Sequence, residues 1–160
     1  LIAAIYPFTK RFFSIPQAIL GIAFSFGIPM SYAAVQNSIP VDAWLLVIAN
    51  IAWAIAYDTA YAMVDRDDDL TIGIKTSAIT FGKYDVLVMM FCYAITMSSF
   101  AVIALRHDLS NLFWIFWLLG LGLIIYYYQL VSKRAPQECF LAFKRNNWLG
   151  AALFLALAFS

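Results

Sequence analysis

Uncharged apolar stretches alternate with short polar connectors along this chain, and the lengths of the stretches decide what they are. A helix needs roughly 20 apolar residues to cross a bilayer core of about 30 Å. Residues 12–41 carry no charge, and their apolar part ends near Val35, before Gln36-Asn37-Ser38. Pro16 and Pro29 predict an early turn and a kink within this stretch. Residues 43–64 form a second stretch, interrupted only by Asp58, and residues 86–105 and 109–132 form a third and a fourth. Residues 146–160 begin a fifth, short for a span, and residues 1–5 read as the tail of an earlier one. The pattern predicts an all-α, multi-pass transmembrane bundle of about five spans, with residues 1–160 as a single domain. Because the chain opens on Leu1 with neither a signal peptide nor a complete first span, it is expected to be part of a longer protein.

Composition agrees. Hydrophobic residues make up 64% and charged residues 12% of the chain, against about 45–50% and 25% in ordinary soluble domains. A soluble fold of this length leaves about a third of its chain surface wet and could not hide so much apolar area. A water-soluble monomer, a disordered chain and a nucleic-acid binder are excluded, and a net charge of +1 selects no partner by long-range field. Cys92 lies in an apolar run and Cys139 in a basic connector, so neither a disulfide framework nor a metal pair is suggested. If the spans alternate, Lys10, Arg11, Arg66, Lys75, Lys83, Lys133, Arg134, Lys144 and Arg145 share one side and Arg106 stands alone on the other. That bias marks the crowded side as cytoplasmic.

The cytoplasmic side also carries the chemistry. Tyr57-Asp58-Thr59-Ala60-Tyr61-Ala62-Met63-Val64-Asp65-Arg66-Asp67-Asp68-Asp69 contains five carboxylates and a single cation. Asp65 and Asp69 share a helical face, and Asp58 lies two turns up the same stripe, deeper in the membrane. A carboxylate at depth costs roughly 2.5–3.5 kcal/mol unless it faces a wet cavity or a partner. Two carboxylates at this spacing repel unless a cation stands between them, and hard oxygen ligands suit Mg²⁺. Because Mg²⁺ completes its shell with waters and substrate phosphate oxygens, Lys10, Arg11 and Lys75 are candidates to hold the rest of a diphosphate. The bland alternative is a solvated helix start, which suits Asp67 and Asp68 better than Asp65 and Asp69. Asp58 reads equally well as a hydrogen-bonding group between helices. Tyr57 and Tyr61 either line the cavity or simply pack, and His107 reads as part of a plain outer turn.

The acidic stretch, with Gly73-Ile74-Lys75 after it, resembles the second Asp-rich motif of the UbiA-type membrane prenyltransferases. Tyr6-Pro7-Phe8-Thr9-Lys10-Arg11 is similar to that family's Tyr-x-x-x-Lys signature, and Gly27-Ile28-Pro29-Met30 and Phe81-Gly82-Lys83-Tyr84-Asp85 resemble its bacterial 4-hydroxybenzoate polyprenyltransferase branch. The resemblance implies a nine-span fold in the complete enzyme, of which this chain supplies the last part. It implies Mg²⁺-dependent transfer of a polyprenyl group from polyprenyl diphosphate to the ring of 4-hydroxybenzoate, in ubiquinone biosynthesis at the bacterial inner membrane. By the same resemblance Asp65 and Asp69 hold the metal and act in catalysis, while Lys10 binds diphosphate. Arg11 binds either the diphosphate or the benzoate carboxylate. Lys75, Asp58 and Tyr61 complete the expected substrate site. The family's other motif, Asn-Asp-x-x-Asp, has no counterpart here, so residues 1–160 alone are expected to be inactive. Two other readings compete: a membrane transporter, or an inactive fragment with an acidic cation site. A CDP-alcohol phosphotransferase is disfavoured because its interleaved glycines and arginine are missing between Asp58 and Asp69.

Overall fold

A computed structural model of the protein describes Thr9 and residues 11–160. The expectations for residues 1–5, for Tyr6, Pro7 and Phe8, and for Lys10 fall outside the described residues. Within them the chain is helical, and four segments are long and apolar enough to cross a membrane: Pro16–Gln36, Val41–Val64, Ser77–Arg106 and Asn111–Val131.

The first span is broken into α1 (Pro16–Ser25) and α2 (Gly27–Gln36). Pro16 sits in the first turn, where its missing N–H costs nothing. Pro29 has no N–H to offer the carbonyl of Ser25, and the next bond, Met30 N–H to Phe26 O, is stretched to 3.4 Å, which accounts for the break at Phe26. Asn37, in the left-handed conformation, closes α2 with its N–H on Ala33 O.

Helix α3 (Val41–Val64) is the centre of the bundle, packed against α1 and against the helices that follow. Lipid is as apolar as the core, so helices in a membrane associate by close packing and not by a hydrophobic drive. The buried face of α3 is accordingly small: Ala43, Ala49, Ala52, Ala54, Ala56, Ala60 and Ala62. On α1, a Cβ at Gly21 would stand 3.0 Å from the Ile51 Cα, so the two backbones approach as closely as glycine allows. Phe91 and Leu118 lie exposed, as apolar residues on a membrane helix can.

After α3 come two short helices, α4 (Arg66–Ile72) and α5 (Ser77–Phe81), and a 3₁₀ turn at Gly82–Tyr84. Then α6 (Asp85–Arg106) and α7 (Asn111–Val131) cross in opposite directions. Thr96 Oγ1 on α6 donates to Ala49 O on α3 over 3.1 Å, and Trp117 Nε1 on α7 donates to Met97 O over 3.0 Å.

The last segment differs from the expected pattern. It consists of α8 (Pro136–Arg145) and α9 (Asn147–Ala158), joined through Asn146 in helical conformation. Phe143 packs on Tyr57 and Tyr61, and Asn146 on Trp53, so α8 climbs antiparallel along the lower half of α3. The apolar helix α9 thus starts at Asn147, and it is preceded from Pro136 by the more polar α8, joined to it at a kink at Asn146. Lys144 and Arg145 accordingly lie part-way up the bundle, beside Tyr57 and Tyr126, and not in an end connector. At the kink the freed carbonyl of Arg145 accepts a 2.7 Å bond from the Tyr127 hydroxyl.

Two ion clusters fix the ends of the bundle. At one end Asp42 accepts from Arg106 Nε at 2.9 Å and faces His107 Nε2 at 2.8 Å, so His107 is a tied partner and not a plain turn residue. At the other end the fully buried Asp85 receives Arg134, on Nε at 3.0 Å and Nη2 at 2.7 Å, and Arg66 at 3.3 Å. These pairings place residues 42 and 106 at one end and residues 66, 85 and 134 at the other, as alternating spans require.

Candidate functional site

The acidic stretch is bent where it matters. Helix α3 stops at Val64, and Asp65 (φ −89°, ψ 5°) is the joint from which α4 leaves at an angle. Asp69 N–H still reaches Asp65 O at 2.8 Å, so these two carboxylates remain one turn apart. Both are half-buried while Asp67 and Asp68 are exposed. Gly73 ends α4 with φ +77°, where a side chain would be strained, and sends Ile74 N–H back to Asp69 O. Asp58, also half-buried, lies on α3 itself, not on the helix that carries Asp69.

Arg66, the one cation within the acidic run, turns its guanidinium to Asp85 at 3.3 Å. The hinge itself carries Asp65, with Asp69 one turn further on. Tyr61 stands at that spot, within electrostatic reach of Asp58, Asp65 and Asp69, and its ring packs against Phe143 at 5.0 Å and Phe140 at 6.4 Å. Tyr61 thus both packs and faces the carboxylates.

The expected cations are placed in part. Lys75 Nζ lies 3.5 Å from the Phe12 carbonyl, and Thr80 Oγ1 bonds the Ser14 carbonyl, so the segment carrying Arg11 is drawn over the α4–α5 connection. Arg11 and Lys75 are both exposed there. Lys10 lies outside the described residues. Among the described residues no three His, Cys, Asp or Glu side chains converge on a common point. Asp65 and Asp69 offer oxygen donors only and fewer than a closed metal cage needs, which is the donor set of an Mg²⁺ shared with substrate phosphates and water.

Above the hinge a groove runs up α3. Tyr57, Trp53 and Asn50 line a cavity of about 520 Å³ together with Phe143, Lys144 and Asn147. A second, apolar cavity of about 240 Å³ continues past Asn50 and Trp53 toward Leu46, Leu153 and Leu157. Lys144 also lies over the Phe140 ring at 5.6 Å. Sequence reasoning placed Lys144 in a loop and gave no role to Asn50, Trp53 or Asn147. The signal was present as an i, i+3, i+7 stripe on α3, but only the docking of α8 makes it a wall.

The sequence profile of the UbiA prenyltransferase family matches residues 1–157. The 4-hydroxybenzoate octaprenyltransferase of Polynucleobacter asymbioticus is 60% identical over 157 residues, 98% of this chain and 55% of that protein. The proteins of the same name from Paraburkholderia xenovorans and Herminiimonas arsenicoxydans are 54% and 56% identical. This chain therefore spans about 55% of the length of these curated relatives. The apo structure of a UbiA homolog from Aeropyrum pernix superposes with a TM-score of 0.74 at 22% identity, covering 98% of this chain and 60% of that one, a likeness of fold.

Proposed function

The chain belongs to the UbiA prenyltransferase family, and from that premise we propose that it supplies one acidic half of an Mg²⁺-dependent prenyl-transfer site. The donor is a polyprenyl diphosphate and the acceptor 4-hydroxybenzoate. The observation that supports this reading is the hinge at Asp65, which holds the half-buried Asp65 and Asp69 one turn apart at a helix end, within electrostatic reach of Tyr61. A transporter would need such carboxylates at mid-membrane, and here they cluster at a helix end.

In this reading Asp65 and Asp69 hold the metal, and Arg11, Lys75 and Lys10 bind diphosphate oxygens, with Arg11 also within the pool of cations for the benzoate carboxylate. Mg²⁺, when bound, offsets the charge that develops on the departing diphosphate. The C–O bond to the allylic carbon breaks with both electrons going to diphosphate. The ring carbon ortho to the phenol forms the new C–C bond, and the ring proton leaves. Tyr57, Tyr61 and Phe143 shield this region from water, which would otherwise capture the allylic cation. Asp58 and Tyr61 line the approach. The setting is the bacterial inner membrane, with the acidic end cytoplasmic, and the product is a quinone precursor of the ubiquinone type.

The test uses membranes containing the full-length enzyme, supplied with an allylic diphosphate and 4-hydroxybenzoate. Prenylated acid and diphosphate should appear in equal amounts and stop when a chelator removes Mg²⁺. Absence of both products in active-site-intact membranes would sink the reading.

A further inference from the structure

Trp53 lines both cavities of the groove, the amide- and lysine-bearing one nearer the acidic hinge and the apolar one beyond. It stands twelve residues from Asp65, about 18 Å along a straight helix. The indole is pinned from several sides. Its Nε1 donates to Asn146 Oδ1 at 2.5 Å, and Asn146 Nδ2 in turn bonds the hydroxyl of the buried Tyr93. Its ring meets Tyr57 edge-on at 5.7 Å. On α9 it lies over Gly150, where an added Cβ would stand 2.5 Å from Trp53 Cη2 and 3.0 Å from Cζ2. Only glycine leaves room for the ring in this slot.

The space beyond the indole has no charged lining, and the Thr96 hydroxyl there is already donated to backbone carbonyls of Ala49 and Cys92. Such a space accepts hydrocarbon and rejects a phosphate or a carboxylate. A donor whose diphosphate sits at Asp65 and Asp69 directs its tail up the groove toward the indole. We propose that Trp53 is a specificity-determining residue for the donor: its indole, seated on Gly150, is the wall that sets how far the apolar chain enters the bundle. The proposal rests on the prenyl-transfer reading of Asp65 and Asp69.

The two residues in contact give a test with opposite signs. In the full-length enzyme, rates of transfer to 4-hydroxybenzoate are compared for geranyl diphosphate and a long-chain polyprenyl diphosphate. Trp53→Leu removes ring volume and should raise the long-to-short rate ratio, on the order of tenfold, the scale at which a few methylenes discriminate in an apolar pocket. Gly150→Ala leaves the indole intact but pushes it off α9 into the groove, and should lower the same ratio. General destabilisation would slow both donors together and leave the ratio unchanged in both variants. An unchanged ratio, shifts of equal sign, or loss of transfer with both donors in Trp53→Leu would each overturn the proposal. Failure of the unsubstituted enzyme to transfer from either donor would instead overturn the prenyl-transfer reading beneath it.

Discussion

Asp65, Asp67 and Asp69 have the same chemistry and adjacent positions, yet the hinge gives them different surroundings. Asp65 and Asp69 are half-buried and lie within electrostatic reach of Tyr61, while Asp67 is exposed. In the full-length enzyme Asp65→Asn or Asp69→Asn should lower transfer by on the order of 100-fold or more, as loss of a group that stabilises developing charge does. Asp67→Asn should be much milder, and equal loss at all three positions would argue for a diffuse field in place of ligation. Asp85 is a different kind of acid, fully buried between Arg134 and Arg66 and bonded at 2.6 Å to the Val86 N–H of its own helix start. Asp85→Asn should lower stability by about 2 kcal/mol, less than for a fully buried pair because both arginines keep access to water. Thermal unfolding in detergent measures it. Cys139 is fully buried in the packing of α8 against the bundle, out of reach of a reagent in solution. Maleimide labelling at neutral pH should leave Cys139 unmodified until the protein is unfolded; rapid labelling of the native state would contradict its burial.

At the level of elements, α3 organises everything that lines the groove. Its small side chains let α1 and α6 come close, while its larger Tyr57 and Tyr61 meet α8 and Trp53 meets Asn146 and Gly150. Gly21→Val should loosen α1 from α3, since the new Cβ begins 3.0 Å from the Ile51 backbone and backbone cannot step aside. The expected readout is a lower unfolding temperature with insertion intact. Asn146 joins α8 to α9 and ties Trp53 to Tyr93 through its two amide ends. Asn146→Leu should cost about 1–2 kcal/mol, the upper range for hydrogen bonds between membrane helices.

For the whole molecule, the two ion clusters hold opposite ends of the bundle and make its topology testable. Cysteines at Asp67 and Asn37 should react from opposite sides of intact cells, with Asp67→Cys labelled only from the cytoplasm. Reaction of Asp67→Cys with an impermeant external reagent would reverse the orientation. A polypeptide of these 160 residues carries one acidic motif and leaves its groove open on one side. Expressed alone it should not transfer prenyl groups, and co-expression with a fragment carrying the remaining spans should restore some activity, because separately inserted helices can associate afterwards. Robust transfer by the purified 160-residue chain would show that one acidic motif suffices.

Hydrophobic run length determined the membrane class and four of the spans, because a bilayer imposes a minimum length that is readable residue by residue. The acidic stretch stood out because Asp58 extends it into a span, where a carboxylate is too costly to be incidental. The last segment was legible only in part. Residues 136–145 are too polar to score as a span, and it is the packing of Phe140 and Phe143 on Tyr61 that carries them up beside α3. Asp85 and His107 each looked local, a helix-start acid and a turn residue, because ion pairs spanning 49 and 65 positions leave no periodic trace in sequence. Trp53 reads as one more apolar residue in an apolar helix. Its place as a wall depends on Gly150 and Asn146, some ninety positions away, and only tertiary structure brings such distant residues into contact.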